Sequence, residues 1–466
     1  MTIDPVAGSF RDPAGFLYRR DGVLHRQIDA AGRADYDLLL SSGLYAELSG
    51  AGLLVRHEEV DPALAARDGA CKVIRPEPVP FVSYPYEWCF GELRDAALLT
   101  LAIQERALAR GLSLKDASAY NVQFQDGRPV FIDTLSFEPY VEGRPWQAYR
   151  QFCQHFLAPL ALMSRRDVGL GQLLRVHVDG VPLELASRLL PARTRLSPSL
   201  GLHVHLHARS QRRHAGEGAS EAPARLERGR GRGMSRYKLV AWIDSLRAAV
   251  TRLDWKPGGT EWLDYYERNN NYGEVGLQAK ERALAAFVER VAPATVWDLG
   301  ANTGRFTRLA VAGGARGVAW DIDPGCVEAN YQKVRRDGET RVLPLLLDLT
   351  NPSPAIGWEN RERLSLAQRG PVDLVLALGL VHHLAISNNV PMERVASFLR
   401  ALGAWLVVEW IPKDDSQVQK LLVTRADVFP TYRQDEFERA FAAAFAVELS
   451  VAISDTKRTL YLMRGR

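Results

Sequence analysis

Apolar runs of strand length, each followed by a helical spacing of apolar residues, recur through the second half of the chain. The run that begins at Thr295 ends in an acid and two closely spaced glycines, and apolar residues three to four positions apart follow from Phe306. This order predicts a strand, a tight turn and a helix. The pattern predicts further strands at 317–320, 342–347, 372–378 and 405–408. Strands that alternate with helices indicate an α/β domain with a parallel sheet.

The first half of the chain follows a different pattern. Apolar residues flank an Asp-Gly pair at 21–22 and another at 126–127, which predicts two hairpins. The apolar spacing over 93–110 predicts a long helix, and residues 140–200 are helical and apolar in character. We therefore expect an α+β domain over residues 1–205.

Residues 206–235 separate the two halves. They are rich in arginine, glycine, alanine and glutamate and contain almost no large apolar side chain. Such a stretch buries too little surface to offset the entropy of ordering it, so a mobile linker is predicted. Its arginines would also suit a polyanion such as RNA, an alternative that composition leaves open. The second domain is then expected over 236–466, where an amphipathic helix at 237–253 precedes the first strand.

The composition is that of a globular protein of two to three domains, with 466 residues, 47% hydrophobic and 24% charged. The formal net charge of +4 does not by itself indicate a nucleic-acid partner. Four scattered cysteines show no disulfide or metal-ligand spacing, the start does not resemble a signal peptide, and no apolar run reaches membrane-spanning length. We therefore expect a cytoplasmic protein that does not enter a membrane.

A metal site is disfavoured. His203, His205, His207 and His214 cluster in the sequence, but no carboxylate or cysteine lies near them. Their alternation over 203–207 also fits one face of a strand.

The turn after the strand at Thr295 has the composition of a nucleotide-binding turn. Gly300 and Gly304 allow the backbone to approach a ligand where a Cβ atom would intrude, and the N–H groups of the following helix point at that ligand. With Asp298 the spacing is Asp-x-Gly-x-x-x-Gly, which differs from the Gly-x-Gly-x-x-Gly spacing of dinucleotide sites. An adenosine ligand is therefore favoured, and an NAD-dependent dehydrogenase is disfavoured.

Polar residues follow the next strands as well. Asp321 ends the second strand, where open α/β sheets place an acid that accepts hydrogen bonds from the ribose hydroxyls. Asp348 follows the third strand, and the fourth leads into His382 and His383. Because ligands bind at the carboxyl ends of parallel strands, these residues are expected around one site.

In this order the motifs resemble those of class I methyltransferases that depend on S-adenosylmethionine (SAM). The resemblance covers the second half of the chain and is specific for the cofactor, not for the methyl acceptor. It implies a doubly wound sheet of seven strands whose last strand is antiparallel. A helix at 435–445 and strands at 446–451 and 459–463 match the last helix and the final antiparallel pair of that sheet. The matching segments are 298–304, 321–324, 348–350, 373–378 and 382–384.

The resemblance implies a role for each matching residue in binding SAM. Asp298 would orient the methionine ammonium, Asp321 would hold the ribose, and Asp348 would accept from the adenine amino group. The other positions would shape the methionine pocket or flank the adenine: Gly300, Asn302, Gly304, Ile322, Leu349 and Leu378. Aromatic residues before the first strand either cover the cofactor or pack between helix and sheet: Tyr265, Tyr266 and Tyr272.

Methyl transfer requires an acceptor aligned with the C–S bond, exclusion of water and, for a hydroxyl or a protonated amine, a base. His382 and His383 follow the fourth strand and Glu409 ends the fifth, so all three are candidate catalytic residues. A structural role for either histidine stays open. Trp410 is a candidate for stacking on substrate or cofactor.

A second resemblance concerns the first half. Asp116 and Asn121 precede the second hairpin and Asp133 follows it, an arrangement similar to the catalytic loop and metal-binding strand of protein-kinase-like folds. The sequence departs from that pattern because no histidine lies two residues before Asp116, no glycine-rich loop is visible upstream, and Lys72 is the first lysine. A repurposed scaffold is favoured over a working kinase, and a simple role of these residues in turns stays open.

These patterns predict a SAM-dependent methyltransferase with its catalytic domain at 236–466 and a kinase-like domain of unknown activity at 1–205. The sequence does not identify the acceptor or the oligomeric state. Small molecules and glycans are favoured over nucleic acid, because no Asn/Asp-Pro-Pro-Tyr-like motif follows the fourth strand. The alternatives are a bifunctional kinase-methyltransferase and a non-catalytic SAM- or nucleotide-binding protein with an N-terminal partner-binding module.

Overall fold

The computed structural model describes residues 2–210, 233–258, 262–263, 272–423 and 427–466. The chain divides into two compact units, one of Met1–Trp255 with Gly357–Glu362 and the other of Lys256–Ile356 with Arg363–Arg466. Each unit has buried apolar residues of its own. No helix in the described ranges is long and apolar enough to cross a membrane.

The first unit opens with a five-stranded antiparallel sheet. Its strands are β1 (Ile3–Pro5), β2 (Gly15–Arg20), β3 (Val23–Asp29), β4 (His57–Val60) and β5 (Ala70–Pro76), in the spatial order β1-β2-β3-β5-β4. Asp21 and Gly22 form the predicted hairpin turn with positive φ angles of 48° and 84°, the geometry that an Asp-Gly pair favours. Helices α1 (Ala30–Ser41) and α2 (Leu44–Gly50) connect β3 to β4.

A mainly helical region with two small sheets completes this α+β unit. The predicted long helix is α3 (Phe90–Ala109), and the second predicted hairpin is β7 (Val122–Gln125) with β8 (Arg128–Phe131). Strands β6 (Leu112–Leu114) and β9 (Phe137–Pro139) pair on either side of that hairpin in the sequence. The helices that follow are α4 (Tyr149–Phe152), α5 (Ala158–Arg165), α6 (Leu173–Val176), α7 (Leu183–Leu189) and α8 (Pro198–Leu200).

The helix after the predicted linker belongs to the first unit, which differs from the expected boundary at residue 236. This helix, α9 (Arg236–Thr251), buries Leu239, Ile243 and Leu246 and packs against α3. Its amphipathic pattern predicts a helix but does not identify the neighbour that covers its apolar face. Most of the predicted linker, residues 211–232, lies outside the described residues.

The predicted strand face of alternating histidines is instead a π-helical turn, Gly201–Leu206. His203 Nε2 lies 2.9 Å from Ser245 Oγ, and His205 Nδ1 lies 2.7 Å from Ser187 Oγ. In the described ranges no group of three or more acidic, histidine or cysteine side chains is arranged to hold a metal ion. The fourth histidine of the cluster lies outside those ranges.

The second unit is built on a seven-stranded sheet in the order β12-β11-β10-β13-β14-β16-β15. Strands β10 to β14 are parallel to one another, and β16 lies antiparallel between β14 and β15. This arrangement confirms the predicted doubly wound sheet with an antiparallel last strand. The strands are β10 (Thr295–Leu299), β11 (Arg316–Asp321), β12 (Val342–Leu346), β13 (Val372–Ala377), β14 (Gly403–Trp410), β15 (Phe445–Ala452) and β16 (Thr459–Gly465).

The core of this unit lies around its central strands. Val296 on β10, Leu374 and Leu376 on β13 and Val407 on β14 are fully buried in one apolar cluster. Because β10 and β13 are neighbours without being consecutive, the strand order reverses between them, and ligands of open α/β sheets bind at such a point. The helices of this unit are α10 (Glu274–Val291), α11 (Arg305–Val311), α12 (Pro324–Asp337), α13 (Met392–Leu402), α14 (Ser416–Leu422) and α15 (Gln434–Ala442).

Candidate functional site

The turn between β10 and α11 has the backbone geometry of a loop that a ligand can approach closely. Gly300, Asn302 and Gly304 have φ angles of 79°, 52° and 78°. Glycine adopts this left-handed region without strain, and asparagine tolerates it better than most residues. A Cβ atom at Gly304 would lie 2.6 Å from both Arg308 Nη1 and Asn330 Nδ2. Position 304 therefore favours glycine for its φ angle, and a Cβ atom there would also displace these two side chains.

Asp321, at the end of β11, lies beside this turn. The Asn302 N–H donates to its Oδ2 at 2.6 Å, and the Asp323 N–H donates to its Oδ1 at 2.9 Å. Asp321 is 8% exposed, and burial raises its pKa to about 6. Each carboxylate oxygen can accept a second hydrogen bond. The residue predicted to hold the ribose is thus a fixed acceptor with a small accessible surface.

Asp298, which the resemblance predicts to orient the methionine ammonium directly or through water, lies deep beside this turn. It is 1% exposed, and the Thr307 hydroxyl donates to its Oδ2 at 2.6 Å. Burial raises the pKa of Asp298 to about 6. The carboxylate therefore links the end of β10 to α11, and a role toward the methionine ammonium stays a prediction.

The remaining predicted cofactor positions follow the carboxyl ends of β11, β12 and β13. Asp348 accepts the Thr350 N–H at 2.8 Å and the Thr350 hydroxyl at 2.6 Å, both on Oδ1. Leu349 is half-buried and Leu378 is buried. Ile322, next to Asp321, is 60% exposed, so its side chain is available to cover an apolar ring.

The two predicted histidines lie together after β13. The ring centroids of His382 and His383 are 4.1 Å apart, with His382 buried and His383 half-buried. Burial lowers the pKa of both imidazoles, so both are uncharged at neutral pH. No described residue forms a hydrogen bond with His382 Nδ1. An uncharged imidazole with an unengaged nitrogen has the chemistry required of a proton acceptor.

Trp262 connects the glycine turn to the histidines, and the sequence reasoning missed it. Its backbone oxygen accepts a hydrogen bond from Asn302 Nδ2 at 2.6 Å. Its ring meets the ring of His383 edge to face, with centroids 5.2 Å apart. Its position gives a signal, because Trp262 is an aromatic residue in the same segment as the three tyrosines that were predicted to cover the cofactor. Two of those, Tyr265 and Tyr266, lie outside the described residues.

Glu409, a predicted catalytic residue, is engaged by internal partners on both carboxylate oxygens. It is fully buried at the end of β14, with Lys280 Nζ 2.8 Å from one oxygen and Arg458 Nη1 3.6 Å from the other. The Tyr272 hydroxyl also donates to it. Burial alone would raise the pKa of Glu409, but Lys280 and Arg458 outweigh burial and lower it. The strand end was predicted correctly, but both cations come from distant parts of the chain. We call Tyr272, Lys280, Glu409, Asp415 and Arg458 the Glu409 cluster.

Tyr272 and Trp410, the two other aromatic candidates in the described ranges, are also engaged by partners inside the protein. Tyr272 accepts a hydrogen bond from Arg458 Nη1 at 2.7 Å, so it is part of the Glu409 cluster. Trp410 is 1% exposed and stacks on Tyr432 with ring centroids 4.7 Å apart. Trp410 therefore belongs to the core and not to a ligand surface.

In the first unit, the structure brings Asp116, Asn121 and Asp133 together. Asn121 Nδ2 donates to Ser136 Oγ at 3.3 Å, and the Ser136 hydroxyl donates to Asp133. Burial and, after it, repulsion from Asp133 raise the pKa of Asp116. An unpredicted residue, Arg26 on β3, forms an ion pair with Asp133. No local sequence signal identifies this pair, because its members are 107 positions apart.

The strand order and the glycine turn after β10 give the second unit the fold of the class I SAM-dependent methyltransferases. The whole chain belongs to the family of the nodulation protein NoeA. It is 35% identical over 462 residues to NoeA of Rhizobium meliloti (strain 1021), a match that covers 98% of this chain and 95% of that protein. No protein-family model matches the chain.

Several solved structures are similar to part of the chain. The N-methyltransferase NodS from Bradyrhizobium japonicum WM9 is 13% identical, with a TM-score of 0.31, over 41% of this chain and 97% of NodS. Magnesium protoporphyrin IX methyltransferase (ChlM) from Synechocystis PCC 6803, with bound SAH, is 17% identical, with a TM-score of 0.30, over 44% and 98%. The bifunctional kinase-methyltransferase WbdD is 13% identical, with a TM-score of 0.30, over 47% and 46%. The assignment of the fold rests on the strand order and not on these similarities.

Proposed function

We propose that the second unit is a SAM-dependent methyltransferase. The observation that carries this proposal is the position of Asp321, which the Asn302 N–H, in the turn after β10, holds on the same sheet edge as His382 and His383. Methyl transfer to a hydroxyl group requires a carboxylate that accepts hydrogen bonds from the ribose of the cofactor and an uncharged base nearby, and this edge offers both.

The residues of this edge fit the cofactor. Asp321 retains acceptor capacity for the ribose hydroxyls, Ile322 exposes an apolar side chain for the adenine, and the positive φ angles of Gly300 and Gly304 shape the turn beside Asp321. Both hydrogen bonds from Thr350 go to Oδ1 of Asp348. Its Oδ2 is therefore assigned to accept from the adenine amino group. When bound, SAM supplies a methyl group that its sulfonium already activates.

The chemistry left to the protein is to orient the acceptor, exclude water and remove a proton. His382 has an unengaged Nδ1, and burial lowers its pKa and keeps the imidazole uncharged, so His382 is assigned to accept the proton. Trp262 is assigned to exclude water from one side of His383, since its ring lies against that imidazole.

The charge around the histidines favours an uncharged acceptor. Glu409, the carboxylate that ends the neighbouring strand, is neutralised by Lys280 and Arg458 and so does not attract a protonated amine. We therefore propose a hydroxyl acceptor on a small molecule or a glycan. The Trp262 ring offers an apolar surface for such a molecule to pack on.

The test is acceptor-dependent formation of the demethylated cofactor from SAM, with a panel of glycans and small hydroxyl compounds and matched amines. We expect turnover with a hydroxyl compound, and a loss of about 10²- to 10⁴-fold in kcat for His382→Gln with SAM affinity unchanged, because only the base is removed. Arg433→Gln, at an exposed position of the same unit, serves as the control.

Each other outcome has a distinct meaning. Full turnover in His382→Gln would remove the histidine from the mechanism. Tight SAM binding without turnover on any acceptor would favour the non-catalytic alternative. A preference for amines would contradict the proposed hydroxyl acceptor. No phosphotransferase function is proposed for the first unit, because Asp133, the expected metal ligand, is ion-paired with Arg26.

A further inference from the structure

Asp133 follows β8 in the first unit, and donors engage both of its carboxylate oxygens. Arg26 Nη1 and the Leu135 N–H, at 3.1 Å, donate to Oδ1, while the Ser136 hydroxyl donates to Oδ2. Three donors on one carboxylate leave little acceptor capacity for a further ligand.

Arg26 holds this position as part of the sheet. It lies on β3, where it is paired in register with Ile74 of β5, and it is 8% exposed. Its Nη2 lies 3.3 Å from Asp12 Oδ2, so the guanidinium joins two carboxylates. A guanidinium keeps its charge at any pH that the folded protein experiences. The positive charge beside Asp133 is therefore supplied by the protein itself, through the guanidinium of Arg26.

The other two residues of the predicted trio are also turned to internal partners. Asn121 donates from its amide nitrogen to Ser136, the same hydroxyl group that donates to Asp133. Asp116 Oδ1 accepts the Ser118 N–H at 2.8 Å. Magnesium requires a near-octahedral set of oxygen ligands at about 2.0–2.1 Å. Among the residues that the structure describes, no group of three or more acidic, histidine or cysteine side chains is arranged to hold a metal ion.

We infer that Arg26 takes the place of the divalent cation that the kinase-like resemblance implies, so that the first unit binds no divalent metal at Asp133. The Arg26–Asp133 ion pair then fastens strand β3 to the loop after β8. The residues do not fit the expected metal, and metal-dependent phosphotransfer is not assigned to this unit. This inference stands on the first unit alone and does not depend on the proposed methyltransferase activity.

The first test uses the full-length wild-type chain and Asp133→Asn. Thermal unfolding is followed while MgCl2 is added, alone and with ATP, and release of ADP is measured in the same mixtures. We expect no Tm shift and no ADP release that depends on Asp133. A magnesium-dependent rise in Tm, or ATP turnover, that disappears in Asp133→Asn would overturn the inference.

The second test removes the internal cation. Arg26→Met keeps an unbranched side chain but leaves the carboxylates without their guanidinium, so we expect a lower Tm that magnesium partly restores. The double variant Arg26→Met/Asp133→Asn should lose that magnesium response. Arg67→Met is the matched control, because Arg67 pairs with Asp29 while 63% exposed. An Arg26→Met protein that folds and ignores magnesium would contradict the inference, and if it does not fold, the wild-type titration decides.

Discussion

Asp321 is a residue whose charge state should govern cofactor binding. Burial raises its pKa to about 6 from an ordinary value near 3.8. Since its folded-state pKa is raised, the acid form favours folding at low pH, and that contribution is lost as the pH rises through about 6. The ionised form, present above that pH, is the one that accepts hydrogen bonds on both oxygens.

We therefore expect SAM affinity to increase as the pH is raised through about 6 and then to level off. Asp321→Asn, which cannot ionise, should bind more weakly and show a flatter profile over this range. Calorimetric titrations between about pH 5 and 8 measure both dependences. A wild-type affinity that does not change over this range would show that Asp321 does not bind the cofactor.

Gly304 provides a second prediction for a single residue. Gly304→Ala combines a φ angle of 78° with a Cβ contact of 2.6 Å, so we expect about 1–3 kcal/mol of destabilisation and weaker SAM binding. Gly338→Ala is the matched control, because Gly338 has a φ angle of 66° but open space around its Cβ position. Both variants pay the backbone strain, and only Gly304→Ala should lose affinity. Equal affinities would show that the turn does not shape the site.

At the scale of elements, the Glu409 cluster joins α10, β14 and β16. Lys280 comes from α10, Glu409 from β14, and Arg458 lies directly before β16. Because all three side chains are buried, removing one charge leaves the others without compensation. The cluster therefore fixes the carboxyl end of β14 against α10, next to the proposed site.

We expect Glu409→Gln to lower the free energy of unfolding by about 3–5 kcal/mol, which denaturant unfolding measures. Asp337→Asn, which disrupts the exposed ion pair with Lys333, should leave Tm unchanged. If Glu409→Gln had wild-type stability but no turnover, the prediction of a catalytic glutamate would be supported.

Trp262 couples the glycine turn to the segment after β13. An edge-to-face pair contributes about 1 kcal/mol, so Trp262→Ala should lower kcat by several-fold through a less ordered His383. Trp262→Phe should recover part of this loss, since it keeps an aromatic ring. Trp358→Ala, at a 65% exposed tryptophan, is the control. Steady-state kinetics separate this effect from one on KM alone, which would indicate a contact with the acceptor instead.

At the scale of the whole molecule, the sequence predicted the features that depend on neighbouring residues, namely the strands, helices and turns. Strands β10 to β13 are apolar runs that end at or shortly before a glycine or an acid, so the order of these elements and the positions of Gly304 and Asp321 followed directly. Contacts between distant positions did not follow. Arg26 and Asp133 are 107 positions apart, and Lys280 and Glu409 are 129 apart.

The same limit applies to the domain boundary and to the environment of Glu409. The apolar face of α9 has a clear pattern, but only the fold shows that α3 covers it. Glu409 was placed at the correct strand end, yet its role depends on cations that other elements supply. Spacing along a chain specifies secondary structure, whereas the charge state and accessibility of a side chain depend on tertiary packing.

The most direct measurement is a calorimetric titration of the full-length protein with SAM and with its demethylated product, repeated with Asp321→Ala. We expect the wild-type protein to bind both. The variant should bind more weakly by about 2 kcal/mol, because buried ribose hydroxyls would lose their acceptor. Asp337→Ala, at the exposed pair used above, should bind as the wild type does. Absence of binding to either compound by the wild-type protein, or equal affinity in Asp321→Ala, would contradict the assignment of this sheet edge to SAM.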